Sequence, residues 1–164
     1  RVGEMYFLKG EALYDVGRFD EALLAYISGG FDTPDHKESE ESGFAALVTY
    51  NRIIAKAKPE KKNHWIERKV DTALRFASVF PQSKRTTQVM ARAAEGLFSL
   101  NKFAEAADIS AKVLRRNDGT IKQRSVAFLI KGHSHFDLKQ FASAESAYMD
   151  ALKTKQIKRK NSKM

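Results

Sequence analysis

The chain has 164 residues and no cysteine, which excludes disulfide staples, thiol catalysis and Cys-ligated zinc or iron–sulfur sites. It also lacks any apolar run near the ~20 residues that a membrane-spanning helix needs. Three prolines and nine glycines are too few for a collagenous or low-complexity chain. No Gly-rich phosphate loop, His-Glu-x-x-His pair or nucleophile elbow occurs, so no catalytic centre and no cofactor are expected. Acid is missing from one stretch in particular. Residues 151–164 carry six bases (Lys153, Lys155, Lys158, Arg159, Lys160 and Lys163) and no Asp or Glu. They account for +6 of the formal net charge of +9, leaving +3 on residues 1–150. A nearly balanced body with a basic tail weakens a nucleic-acid reading of the total charge. The chain starts at Arg1 with no signal-type apolar segment behind it, as expected of a piece of a longer protein.

What is present is a repeat. Tyr6, Gly10, Leu13, Gly17, Phe19, Ala22, Tyr26 and Gly29 share their spacing with Met90, Ala94, Leu97, Asn101, Phe103, Ala106, Ser110 and Val113. Phe128, Gly132, His135, Lys139, Phe141, Ala144, Tyr148 and Ala151 repeat it again. Gly17 and Asn101 are 84 residues apart, two steps of 42, and Asn101 and Lys139 are 38 apart, so a fourth, degenerate unit falls near residues 38–80. Apolar residues recur three and four apart on both sides of Gly17, Asn101 and Lys139, which reads as two helices per unit. Gly and Asn accept the left-handed conformation that ends a helix, and Lys accepts it less readily. The second helix of each pair opens with Phe and places Ala three residues on, where only a methyl fits between crossing backbones. Enlarging Ala106 to Leu there should cost about 1–3 kcal/mol.

Start signals fall between the units. Thr33-Pro34 offers a cap followed by Pro, Pro81-Gln82-Ser83 precedes a helix over 84–100, and Thr120 with Gln123 has capping-box spacing. The degenerate unit reads as helices over 38–57 and 64–80, joined by a polar loop at Lys58–Asn63. The last helix is expected over 141–157. No period-two segment suggests a strand. The fold class is therefore all-α, eight helices in about four antiparallel pairs. The units span about 3–34, 38–80, 84–116 and 121–153 of one domain, 1–157, followed by a basic, disordered tail at 158–164.

These landmarks resemble the tetratricopeptide repeat in three of the four units. The first-helix pattern Tyr6, Gly10, Leu13 and the Phe-x-x-Ala second helix are the most specific parts. Lys9 and Lys131 depart from it where the repeat usually has Leu. The phrase Phe76-Ala77-Ser78-Val79-Phe80-Pro81-Gln82-Ser83 is similar to a junction in bacterial cell-envelope tetratricopeptide proteins. The resemblance implies a right-handed α-solenoid, a TPR-like superhelix whose concave face binds protein segments. It implies a periplasmic or outer-membrane-associated location, with the cytoplasm as the alternative.

In that architecture the first helix of each pair lines the groove. Helical spacing puts Glu4, Phe7, Glu11, Tyr14 and Asp15 there, then Gln88, Ala91, Glu95, Phe98 and Ser99, then Val126, Leu129, His133, Phe136 and Asp137. Five of these fifteen are acids and none is Lys or Arg, which suits a segment carrying apolar and basic side chains. The competing reading packs the aromatics on the next repeat and leaves the acids solvated. A clamp for acidic chaperone tails needs cations on this face, and the matching places hold Phe7, Glu11, Ala91, Glu95, Leu129 and His133 instead. His133 and His135 lie two apart, about 200° around a helix, so they do not share a metal ion. The expected function is a non-enzymatic protein-interaction scaffold. The alternatives are an RNA- or anionic-membrane-surface adaptor, working through the tail and the basic segment 56–62, and a spacer or self-associating segment. No aromatic interleaves the basic tail to stack on bases, so nucleic acid is the weaker partner.

Overall fold

The computed structural model describes residues 2–33 and 36–161, with side chains as far as Gln156 in the last helix. Among these residues there are eight α-helices and no strand. They are α1 (Val2–Asp15), α2 (Phe19–Ile27), α3 (Ser39–Lys56), α4 (Pro59–Val79), α5 (Thr86–Ser99), α6 (Phe103–Arg115), α7 (Ile121–Asp137) and α8 (Phe141–Asn161). The chain divides after Ser83 into two compact units. In the first, α3 packs against both α1 and α2 and then against α4; in the second, α7 packs against both α5 and α6 and then against α8. Each unit thus stacks one antiparallel helix pair on another, the arrangement of an α-solenoid.

Three turns between paired helices share one geometry. Gly17, Asn101 and Lys139 have φ of 78°, 59° and 60°, the left-handed region. The amide after each donates to a carbonyl five residues back: Arg18 to Leu13 (2.9 Å), Lys102 to Leu97 (2.9 Å) and Gln140 to His135 (2.8 Å). The amide of the left-handed residue donates to the carbonyl three back, on Tyr14, Phe98 and Phe136. Two of the orphan carbonyls of each helix end are satisfied in this way, and the next helix starts two residues later.

Within each pair, close approach is set by matched sizes. A Cβ on Gly10 would lie 2.5 Å from the Tyr26 ring, and one on Gly132 would lie 2.7 Å from the Tyr148 ring. The equivalent positions of the third unit hold Ala94 and Ser110, and both are buried. Where the second helix brings a large ring, the first helix has glycine; where it brings a small residue, alanine suffices. Ala22 and Ala106 are fully buried and Ala144 nearly so, as the crossing-point reading expected. In unit one the core is built by Ala22, Leu23 and Tyr26 of α2 with Ala46, Tyr50 and Ile53 of α3.

Several local expectations need correction. Thr33 does not open a helix: its hydroxyl donates to the Ser28 carbonyl (2.9 Å), closing a single π-helical turn over Ser28–Asp32. Pro34 lies outside the described residues, and α3 begins at Ser39. Of the segment expected as a loop at 58–63, only Lys58 is extended and the rest is already helical, because Pro59 occupies the first helical position of α4, where its missing N–H costs nothing. The backbone of α8 continues to Asn161, past the expected end at 157. The side chains of the basic tail from Lys158 onward lie outside the described residues. The capping box forms as read, with Gln123 N–H donating to Thr120 Oγ1 (3.1 Å) and Thr120 N–H to Gln123 Oε1 (2.8 Å).

Candidate functional site

The predicted groove residues occupy the first helix of three pairs, and their surroundings differ between the two units. In unit one, Phe7 is half-buried against Tyr26, 6.2 Å between ring centroids. Glu11 is exposed and accepts the Tyr26 hydroxyl at 2.5 Å. Burial of the phenol, reinforced by that carboxylate, pushes the Tyr26 pKa well above its ordinary value. Tyr14 packs edge-on against Phe19 (5.1 Å), and its hydroxyl accepts from Arg52 Nε of α3 at 3.0 Å. Asp15 is exposed. Phe7 and Tyr14 therefore pack on the core cluster, and a cation reaches this face from α3. The sequence reading missed Arg52 because it left the degenerate unit out of the groove. The 42-residue step carries Gly10, a buried crossing position, onto Arg52, so repeat spacing alone gave no signal for it.

Unit two is more open. Glu95 is half-buried and pairs with Arg92 (2.8 Å), and Phe98 is half-buried between Phe103 (5.3 Å) and His133 (6.0 Å). His133 is exposed, with Nδ1 2.8 Å from the Tyr148 hydroxyl and its ring edge-on to the Tyr148 ring at 5.3 Å. Leu129 and Phe136 stand 41% and 55% exposed, and Asp137 is exposed at the end of α7. The structure thus joins Phe98, His133 and Tyr148 into one aromatic patch beside Glu95. Tyr148 was missed as a surface residue, although its repeat landmark had been found. His135 is turned away to Gln140, at 2.6 Å.

One pattern runs through all three pairs. The ring that ends the first helix meets the Phe that opens the second at a steep angle: Tyr14 with Phe19 and Phe136 with Phe141 (5.5 Å) edge-on, and Phe98 with Phe103 tilted at 58°. In the first two cases the next helix adds a partner, Arg52 or His133. Edge-to-face pairs of this kind add about 0.5–1.5 kcal/mol beyond buried area. They make the aromatic ladder part of the stacking between repeats as well as of the face.

Two other polar places are accounted for by structure. A cleft of about 160 Å³ in unit one is lined by Phe31, Tyr50, Arg68, Asp71, Thr72 and Arg75, among others. Arg75 is committed there to the π-turn: it lies over the Phe31 ring (4.9 Å), donates to the Phe31 carbonyl (3.3 Å) and pairs with Asp32 (3.1 Å). In unit two, buried Thr87 accepts from Arg116 Nε (2.5 Å) and donates to Asp118 (2.5 Å), clasping the α6–α7 loop to the start of α5. Hydrogen bonds from Arg116 and Thr87 hold the Asp118 carboxyl below the usual carboxylate range. Of the basic segment 56–62, Lys56 ends α3 and lies 4.7 Å over the Phe19 ring, while Lys61 and Lys62 are exposed in the first turn of α4. Among the described residues no three His, Asp or Glu side chains converge as metal ligands, and no helix is long and apolar enough to cross a membrane.

No protein-family model matches the chain, and no curated protein matches it. Among solved structures, it is similar to one titled MamA MSR-1 C2, with a TM-score of 0.41 and 16% identity over 95% of this chain and 98% of that one. A second, MamA AMB-1 P212121, gives a TM-score of 0.40 and 14% identity over 94% and 92%. The helix pairs and their turns carry the fold class on their own.

Proposed function

We propose that the chain is a non-enzymatic protein-interaction scaffold, and that the α5–α7 face of unit two is its binding surface. The observation that carries this is the patch of Glu95, Phe98, His133 and Tyr148, bordered by exposed Leu129 and Asp137. Rings held in place by their own repeat lose little entropy on binding, and neighbouring carboxylates favour a partner segment with basic as well as apolar side chains. The unit-one residues Phe7, Glu11, Tyr14 and Asp15 contribute rigidity more than open surface. The junction at Phe76–Ser83 supports membership of a larger bacterial cell-envelope protein at the periplasmic side. In unit one its Phe76 and Phe80 also stack on each other (5.0 Å), and Phe80 packs against Phe31 (6.2 Å).

The test is an amide chemical-shift titration with defined short peptides, one set apolar and basic, the other apolar and acidic. Shifts confined to α5 and α7, with the basic set preferred, support the reading. Preference for the acidic set, or shifts confined to unit one, would overturn it. Phe98→Ala with His133→Ala should abolish the basic-set response without unfolding the chain.

A further inference from the structure

The contacts of Arg75 account for one side of the unit-one cleft and leave the other side open. The floor is satisfied internally. Thr72 donates its hydroxyl to the Arg68 carbonyl (2.9 Å), so in the 3.1 Å contact between Thr72 and buried Tyr50 the phenol donates. On the rim, the side chains of Arg68 and Asp71 are exposed three residues apart on α4. Among the described residues neither of these side chains makes a hydrogen bond or an ion pair, even with the other. Arg68 instead lies over the Trp65 ring, 5.2 Å from its centroid. The cleft therefore offers a ligand one planar donor fork and one carboxylate acceptor, beside the apolar Ile27 and Phe31. The same edge continues along α4. Lys61, Trp65, Arg68 and Arg75 are spaced four, three and seven apart, so they share one helix face, about 21 Å from end to end. Trp65 is half-buried between exposed His64 (5.6 Å) and Tyr50 (6.3 Å).

The near-balanced total charge conceals how unevenly unit one is charged. Residues 52–75 hold eight bases and three acids, a formal +5, whereas the other residues of 1–83 hold four bases and ten acids, a formal −6. An anion is the fitting partner for the positive stretch, and the details of the face narrow its kind. Among the described residues no large apolar side chain between Val48 and Val79 is exposed to enter a bilayer, which argues against a membrane surface. An acidic peptide would meet the like charge of Asp71. A nucleobase, in contrast, carries acceptors and N–H donors side by side on one edge, and a flat face that stacks on rings. Guanine matches the rim best: its O6 accepts from Arg68 while its N1–H and N2–H donate to the Asp71 carboxylate. We infer that this face of α4 binds single-stranded nucleic acid, with a guanine edge read by Arg68 and Asp71 at the cleft. Trp65 fixes the reading guanidinium, the next base stacks against His64 and Trp65, and phosphates meet the exposed Lys58, Lys61 and Lys62. The site lies wholly in unit one, so it stands or falls independently of the α5–α7 face of unit two.

Trp65 is the only tryptophan in the chain, so its emission reports on this face alone. The test titrates the full chain with two single-stranded RNA octamers, one all uridine and one with a single guanosine among uridines. Trp65 emission locates the binding, and anisotropy of labelled octamers measures it. Emission should change with both, and the guanosine octamer should bind about tenfold more tightly or better. Asp71→Asn should bring the two affinities within about twofold, because the acceptor for the guanine N–H groups is lost. Lys61→Gln should weaken both octamers alike and lower the slope of log affinity against log salt by about 0.7, one phosphate contact. Both sites are exposed, so unchanged thermal melts are expected; Arg68→Gln, which should also remove the guanosine preference, serves as second variant if the Asp71→Asn melt drops. Lys112→Gln on α6 should leave binding as it is. Equal affinity for the two octamers, or no response of Trp65 to either, would overturn the inference. So would a Lys112→Gln loss equal to that of Lys61→Gln, or a Trp65 response to phosphatidylserine vesicles or free GMP as strong as that to the guanosine octamer.

Discussion

Replacing Gly10 by Ala tests the packing rule on which the paired helices rest. The added Cβ would sit 2.5 Å from Tyr26 Cδ1 and 2.6 Å from Cε1, about 1 Å inside ordinary carbon–carbon contact. Tyr26 is only 2% exposed, and its hydroxyl is tied to Glu11, so the ring has nowhere to turn without opening the helix pair. Overpacking of this kind costs about 1–3 kcal/mol, while exchanging Gly for Ala inside a helix returns up to about 1 kcal/mol. The expected net destabilisation is about 1–2 kcal/mol, read as a lower urea midpoint at unchanged slope. Gly132→Ala is the control. Its Cβ would approach Tyr148 equally closely, at 2.7 Å, but that ring is only half-buried and can swing outward at the cost of one exposed contact to His133. The helix-propensity gain should then offset most of the clash, leaving a change within about 0.5 kcal/mol. In a Tyr26→Ser background, which copies the Ala94–Ser110 pairing, Gly10→Ala should no longer destabilise. If Gly10→Ala leaves the wild-type midpoint unchanged, or if the two glycines respond alike, the argument from ring burial is wrong.

Other changes probe separate parts of the fold. Tyr26 has a folded pKa raised above its unfolded value near 10, so its contribution is complete below that pH and is lost as pH rises beyond it. Urea midpoints of wild type should therefore fall faster above pH 10 than those of Tyr26→Phe, by up to about 1.4 kcal/mol per pH unit. Thr87→Val keeps the buried volume but removes both bonds of the Arg116–Asp118 clasp, and should cost about 1–3 kcal/mol in the same assay. Lys139→Gly relieves a side chain held at φ 60° and should raise stability by about 0.5–1 kcal/mol, the strain released less the chain entropy glycine adds. Removing the unpartnered buried hydroxyl in Ser134→Ala should stabilise by about 1 kcal/mol.

How far the fold was legible depended on where its physics is local. The three left-handed turns announced themselves because a helix end of this type selects Gly or Asn, and the shared spacing carried even Lys139 into line. The crossing alanines were equally readable, since a methyl at a backbone crossing is forced whatever surrounds it. The π-turn at Ser28–Asp32 left no such signature. It arises where α3 comes close to the chain, so that a Cβ on Gly30 would meet Gly43 N at 2.5 Å, and nothing in the local spacing states that contact. The α4 start was misplaced for a simpler reason. The polar run Lys58–Asn63 reads as a loop by composition, although Pro59 at the first helical position starts a helix.

The candidate face shows the limit of helical periodicity more sharply. Periodicity assigns a side chain to a direction, but what stands opposite depends on the next helix. Tyr14, Phe98 and Phe136 are equivalent by spacing, and each packs against the Phe that opens the following helix. They differ only in what the chain supplies next: Arg52 to the first, His133 to the second, and no described element to the third. A ring that another repeat covers contributes stacking energy, whereas an equivalent ring left open keeps that apolar area exposed. The same sequence signal therefore marks a covered ring in one pair and an exposed ring in another. Phe98→Ala should accordingly lower the urea midpoint by about 1–3 kcal/mol, because its ring loses both Phe103 and His133. Phe136→Ala, which gives up one edge contact on an exposed ring, should cost less than about 1 kcal/mol. Equal losses at the two sites would mean that position along the stack does not separate these roles.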